Sequence, residues 1–106
     1  MKSARTGNRK ANQYEQAHMS RVESTGCVIC REWHNIKTPG QVHHIADGSN
    51  PASHYMTACL CPEHHQGESY GLHGRGVRQF CRQYRLPNEY YLLDLQNKFI
   101  AMDALN

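Results

Sequence analysis

Apolar residues are sparse along this chain, and where they gather they do so with a regular spacing. Val77, Phe80, Cys81 and Tyr84 follow the i, i+3, i+4, i+7 rule, which predicts a helix from about Gly74 with these side chains on one face. Pro87 breaks that helix. Asn88 can cap a last one, in which Leu92, Leu95, Phe99 and Met102 form the buried stripe. Nearer the start, Ala11 to Glu23 reads as a helix with little apolar content, expected to pack lightly and to be capped by Gly26. "QVHHIA", residues 41–46, alternates as a short strand with Val42 and His44 on one side and His43 and Ile45 on the other. "DGSNPAS" is dense in turn formers, "YMTACL" predicts a second short strand over 55–60, and Pro62 suits the first turn of a helix carrying His64 and His65. Residues 1–10 are polar, basic and without apolar period, which predicts a disordered arm, with 11–106 as a single domain. No internal repeat is visible.

Composition sharpens this picture. With 106 residues, 39% of them hydrophobic, and a mean hydropathy of -0.77, the core is thin and a structural metal would act as a staple. No apolar run approaches membrane length, and the basic N-terminus lacks the apolar stretch of a secretory signal. The expected compartment is therefore the reducing cytoplasm. There, 5 cysteines cannot pair completely, so metal binding outranks disulfides. The net charge of +3 is unevenly spread. Lys2, Arg5, Arg9 and Lys10 stand at the start without an acid, and Arg75, Arg78, Arg82 and Arg85 share an arc beside the apolar face of the predicted helix. Such an arc is either a phosphate-binding face or a solvated surface.

The metal chemistry is carried by two matched pairs. A structural zinc takes four soft or borderline ligands, usually as two close pairs from two short segments. Cys27 and Cys30 in "CVICREWHNIKTPG", which has the form of a zinc knuckle followed by a Pro39–Gly40 turn, make one pair. Cys61 and His64 in "CLCPEHH" make the other. Cys59 and His34 are competing candidates, better read as a small buried residue and a surface loop histidine; Cys81 reads as a core thiol. His65, about 100° around the helix from His64, must then aim elsewhere. Six of the chain's 8 histidines lie between His43 and His73, so the expected target of His65 is the His43–His44 strand and a second, catalytic centre. His73 completes that metal's shell, contacts phosphate, or is a loop histidine.

The segments "GCVICR", "VHHIADG", "HYMTACLCPEHHQG", "GLHGRG" and "FCRQY" resemble the zinc-ribbon branch of the HNH, or ββα-metal, nucleases. They are more similar still to the phage recombination enhancement (Ref) nucleases, over about residues 17 to 95. The resemblance implies an α+β fold: a small zinc-stapled ββα-metal (HNH, His-Me finger) core with flanking helices. It implies that His43 is a ligand of the catalytic metal, His44 the general base and His65 a second ligand. The middle asparagine of the general HNH pattern is replaced by His54, with Asn50 nearby in the loop as the other candidate to brace the base. It also implies DNA and a recombinase filament as partners, a longer basic arm than residues 1–10 provide, and a bacterial host cell.

Hydrolysis of a phosphodiester needs a base for water, a cation for the charge that builds on phosphorus, and stabilisation of the leaving oxygen; one divalent ion, Mg²⁺ or another, can supply the last two. The function expected is a metal-dependent DNA endonuclease of phage or prophage origin, with Zn²⁺ as its structural metal and no membrane partner. The alternatives are a non-catalytic zinc-stabilised DNA-binding module and a protein-interaction zinc domain. His43, His44 and His65 separate them, because a single zinc does not need them.

Overall fold

The computed structural model describes residues 10–45 and 50–105. The expected basic arm lies outside the described residues except for Lys10, which is exposed, and so do positions 46–49 of the strand end and the loop. Helix α1 (Gln13–Ser24) begins two residues later than the pattern suggests, because Asn12 and Glu15 form a capping box. Asn12 Oδ1 accepts from the Glu15 N–H and Glu15 Oε1 from the Asn12 N–H, both at 2.8 Å.

The segment read as a knuckle and turn instead contains a helix, α2 (Val28–His34). Cys27 caps it, its Sγ accepting from the Cys30 N–H at 3.5 Å. Val28 and Ile29 are fully buried, and the helix stops at Asn35, whose φ of 54° is left-handed. One helical turn therefore separates the two thiols, which is what sets them side by side.

Strand β1 (Gln41–His44) pairs antiparallel with β2 (Thr57–Leu60), with His43 opposite Ala58 and His44 opposite Thr57. β1 is shorter than its apolar pattern, and Tyr55, expected in β2, belongs to a 3₁₀ turn over Ser53–Tyr55. The alternation of β1 holds: His43 is buried and His44 exposed. β2 is buried along its whole length, covered by α1 and α6. A short helix, α3 (Pro62–His65), follows directly with Pro62 in its first turn.

The helix expected from Gly74 is two, α4 (Leu72–Arg75) and α5 (Val77–Gln83). Gly76 at φ 96° separates them, a backbone conformation that glycine adopts without a Cβ penalty. The break turns Val77 outward, so it is 41% exposed, while Phe80, Cys81 and Tyr84 are buried as expected. In α6 (Tyr91–Ala104), Leu92 and Phe99 are buried and Leu95 packs on the core, but Met102 in the last turn is exposed. Asn88 does not cap α6. Its Oδ1 accepts from the Tyr90 N–H at 2.9 Å, a turn that leaves Tyr90 at the cap position.

Val28, Ile29, Leu60, Leu72, Phe80, Leu92 and Phe99 form the core. Gln96 is buried with them. Its Oε1 accepts from the Cys59 N–H at 2.8 Å and its Nε2 donates to Thr25 Oγ1 at 2.9 Å, so it ties β2 and the end of α1 to α6. Among the described residues no helix is long and apolar enough to cross a membrane.

Candidate functional site

Cys27 and Cys30, one turn apart at the head of α2, meet Cys61 and His64, one turn apart at the head of α3. His64 Nδ1 lies 3.5 Å from Cys27 Sγ, 3.5 Å from Cys30 Sγ and 3.2 Å from Cys61 Sγ, and the Cys30 and Cys61 sulfurs are 3.8 Å apart. These spacings approach the edges of a zinc tetrahedron, roughly 3.5–3.8 Å for Zn–S near 2.3 Å and Zn–N near 2.0 Å. All four residues are buried. Burial pushes the Cys27 and Cys30 thiols up and the His64 imidazole down. The shift favours the neutral imidazole that a ligand must present, and the thiols need a cation to ionise. The chemistry of this set, three sulfurs and an imidazole without a carboxylate, fits a metal such as zinc.

The competing cysteines lie elsewhere. Cys59 Sγ turns to the Glu23 carbonyl at 3.9 Å, and burial together with the Glu23 charge pushes its thiol up to about 12. Cys81 is buried outside the cluster. His34 is exposed, its ring stacked on that of His64 with centroids 6.4 Å apart.

A second group forms on the other side of α3. Ligand nitrogens of His43, His65 and His73 lie within 4.8 Å of one another, with His43 and His65 buried and His73 exposed. α3 and α4 approach closely enough for this because Gly71 and Gly74 lie against the backbone of Gly67, where a Cβ would collide with its carbonyl. Two neighbours orient the rings. His65 Nδ1 donates to Gln41 Oε1 at 3.0 Å, which leaves its Nε2 bare. His43 Nε2 donates to Glu89 Oε2 at 2.7 Å. Burial, then the nearby His43 and His73 imidazoles, lower the His65 pKa and favour its neutral ring. Three convergent imidazoles suit a borderline divalent ion, and the outer hydrogen bonds are those that metal-bound histidines usually make.

His44 does not join this group. It ends β1 on the opposite side from His43, and its Nε2 lies 3.1 Å from His54 Nδ1 in the 3₁₀ turn. Burial lowers the pKa of His44, with His54 and His43 adding to the effect. Of the two residues considered as a brace, His54 is the one in contact with His44. Asn50 instead accepts from the Ala52 N–H at 2.8 Å within the loop.

Arg75, Arg78, Arg82 and Arg85 are all exposed. Arg75 donates to the Ser69 carbonyl at 3.1 Å. Arg78 and Arg82 line a groove of about 580 Å³ together with Val77, Cys81, Leu86 and Glu89. Sequence reasoning missed Gln41 and Glu89. Gln41 carried a signal, being two residues from His43 on the same face of a strand. Glu89 carried none, since it meets His43 only through the fold.

The pattern of the family described as "Recombination enhancement, RecA-dependent nuclease" matches residues 10–88. That span holds both groups of candidate ligands, and Glu89 falls one residue beyond it. No curated protein and no solved structure matches the chain.

Proposed function

The chain belongs to the recombination enhancement, RecA-dependent nuclease family, and from that premise we propose that it is a metal-dependent DNA endonuclease of the HNH, or ββα-metal, type. It would be of phage or prophage origin and act on DNA together with a recombinase filament in the bacterial cytoplasm. One observation carries the reading: adjacent residues His64 and His65 belong to two different ligand groups, and the second contains no cysteine. A purely structural zinc has no use for the second. The succession of β1, β2 and α3 around these histidines is the order that a ββα-metal core requires.

Cys27, Cys30, Cys61 and His64 would hold zinc, pinning α2 to α3 and so fixing the direction of His65. His43, His65 and His73 would hold a divalent ion, Mg²⁺ or another, which when bound supplies positive charge against the scissile phosphate and its leaving oxygen. The remaining work falls to the chain. His44 is the general base. Donation of its Nε2–H to His54 Nδ1 leaves His44 Nδ1 as the lone pair that takes the proton of the attacking water. Its lowered pKa keeps that lone pair available near neutral pH. His54 holds the ring in place, while Gln41 and Glu89 do the same for His65 and His43. Arg75, Arg78, Arg82 and Arg85 bind the flanking phosphates.

The test is nicking of supercoiled plasmid across Mg²⁺, Mn²⁺, Zn²⁺ and Ni²⁺, with and without a recombinase filament. Nicking that requires added metal and disappears in His44→Ala is expected. DNA binding without nicking under every condition would leave a zinc-stabilised binding module.

A further inference from the structure

A second concavity borders the sulfur-rich group, with His64 in its wall. It has a volume of about 390 Å³, and Trp33, Tyr70, Tyr84, Gln83, His34 and Glu63 are among its walls. That volume is within the range of small-ligand pockets, about 300–1,000 Å³. We propose that this pocket binds one unpaired nucleobase of the DNA, a proposal that rests on DNA being the substrate.

Four features select that ligand. The walls are aromatic: Trp33 and Tyr84 meet edge-on with centroids 5.9 Å apart, and Trp33 and Tyr70 remain 42% and 48% exposed. Such faces stack any base but cannot reach one that is stacked inside a duplex. Second, Gln83 Oε1 is buried without a hydrogen-bond partner. Every base offers an amino or imino N–H that would satisfy it, and an orphaned buried acceptor is otherwise unfavourable. Third, the Glu63 carboxylate on the wall disfavours a phosphate within the pocket, which leaves the neutral base as the part that enters.

The fourth feature is Arg85. α5 ends in a Schellman turn, with the Leu86 N–H donating to the Cys81 carbonyl at 2.8 Å. The left-handed position in that turn is normally glycine, yet here it is Arg85 at φ 58°. Its guanidinium sits 6.0 Å from the centre of the Trp33 ring. A strained arginine where glycine would be more stable places a cation at the aromatic rim, positioned for the phosphate attached to a stacked base.

Trp33 is the chain's single tryptophan, so its fluorescence reports the pocket directly. The experiment titrates the full purified chain, without added divalent metal, with a single-stranded oligodeoxynucleotide and with its abasic counterpart. Label anisotropy is followed in parallel. The base-bearing strand should quench Trp33 and the abasic strand should not. Gln83→Leu should weaken binding of the base-bearing strand about 5- to 100-fold and leave the abasic strand unaffected. Arg85→Gly should melt at a higher temperature and yet bind more weakly, a combination that a purely structural role does not produce. Binding by anisotropy with Trp33 unquenched overturns the proposal, as does equal quenching by the abasic strand or no binding at all. Plasmid nicking is scored separately. A chain that nicks without quenching keeps the nuclease reading and loses this subsite, and one that quenches without nicking does the reverse.

Discussion

Glu89 reaches across the fold to His43, its Oε2 2.7 Å from the ring Nε2. The carboxylate is partly exposed and the histidine buried. It stands outside the three-histidine group and holds one of its members by the ring Nε2. If His43 is a metal ligand, Glu89 sets its tautomer and its basicity. Glu89→Ala should then lower the affinity for an added divalent ion, read by calorimetry, about 10- to 100-fold. Glu89→Gln keeps a hydrogen-bonding side chain at His43 and should fall between Ala and wild type. Unchanged metal affinity in Glu89→Ala would leave Glu89 as a surface partner only.

His44 and His43 are neighbours in the chain with opposite surroundings, and their variants should fail differently. His44→Ala should retain zinc, fold and DNA binding while cleavage drops by about two to four orders of magnitude, the usual contribution of a positioned base. Excess divalent metal should restore part of the activity of His43→Ala or His65→Ala and none of His44→Ala. Rescue of His44→Ala by metal would exchange the two roles.

The two close pairs that make up the sulfur-rich group were legible from spacing, because residues three apart on a helical turn are brought together whatever the rest of the chain does. The strand alternation separating His43 from His44 was legible for the same reason. Contacts that depend on the fold were not. Glu89 lies 46 positions from His43, and Gln96 sits inside an apolar stripe where only the edge of β2 explains it. The split of α4 from α5 rests on a single torsion at Gly76, which periodicity does not sense, and it moved Val77 outward. Met102 shows a limit of a different kind: it keeps the helical phase of Phe99 but lies in the last turn of α6, where the core ends.

Gln96 offers a test of the fold that is independent of any metal. Gln96→Leu removes the acceptor of the Cys59 N–H inside a buried strand, an unmet hydrogen bond that costs about 1–3 kcal/mol. In a domain of this size the melting temperature should fall by roughly 5–15 °C. Zinc content should not change. A melting point within a degree of wild type would mean that another group takes over the bond.

Zinc removal should act more severely. The described core is small, and α2 and α3 are joined through Cys27, Cys30, Cys61 and His64. Chelation should therefore abolish cooperative melting, because the binding energy of a structural metal is also folding energy. Cys27→Ser should behave like the stripped chain, whereas Cys81→Ser, outside the cluster, should melt cooperatively. Cooperative melting at an unchanged temperature after complete stripping would sink the structural role of the metal.

The arginines of α5 separate phosphate contact from decoration through salt. Arg78 and Arg82 are exposed on one helix, with Arg85 just beyond its end. If they bind phosphates, the Ala variants of Arg78 and Arg82 should each weaken binding alike on all sequences. Each lost contact also releases one counterion fewer, so the slope of log K against log salt should flatten by about 0.9 on duplex DNA and about 0.7 on single strands. Arg85→Ala should differ. It should cost more on a base-bearing single strand than on an abasic one, since its guanidinium lies over Trp33. A triple variant with the wild-type salt slope would move the DNA track off this helix and turn the test to the basic residues Lys2, Arg5, Arg9 and Lys10 at the other end of the chain.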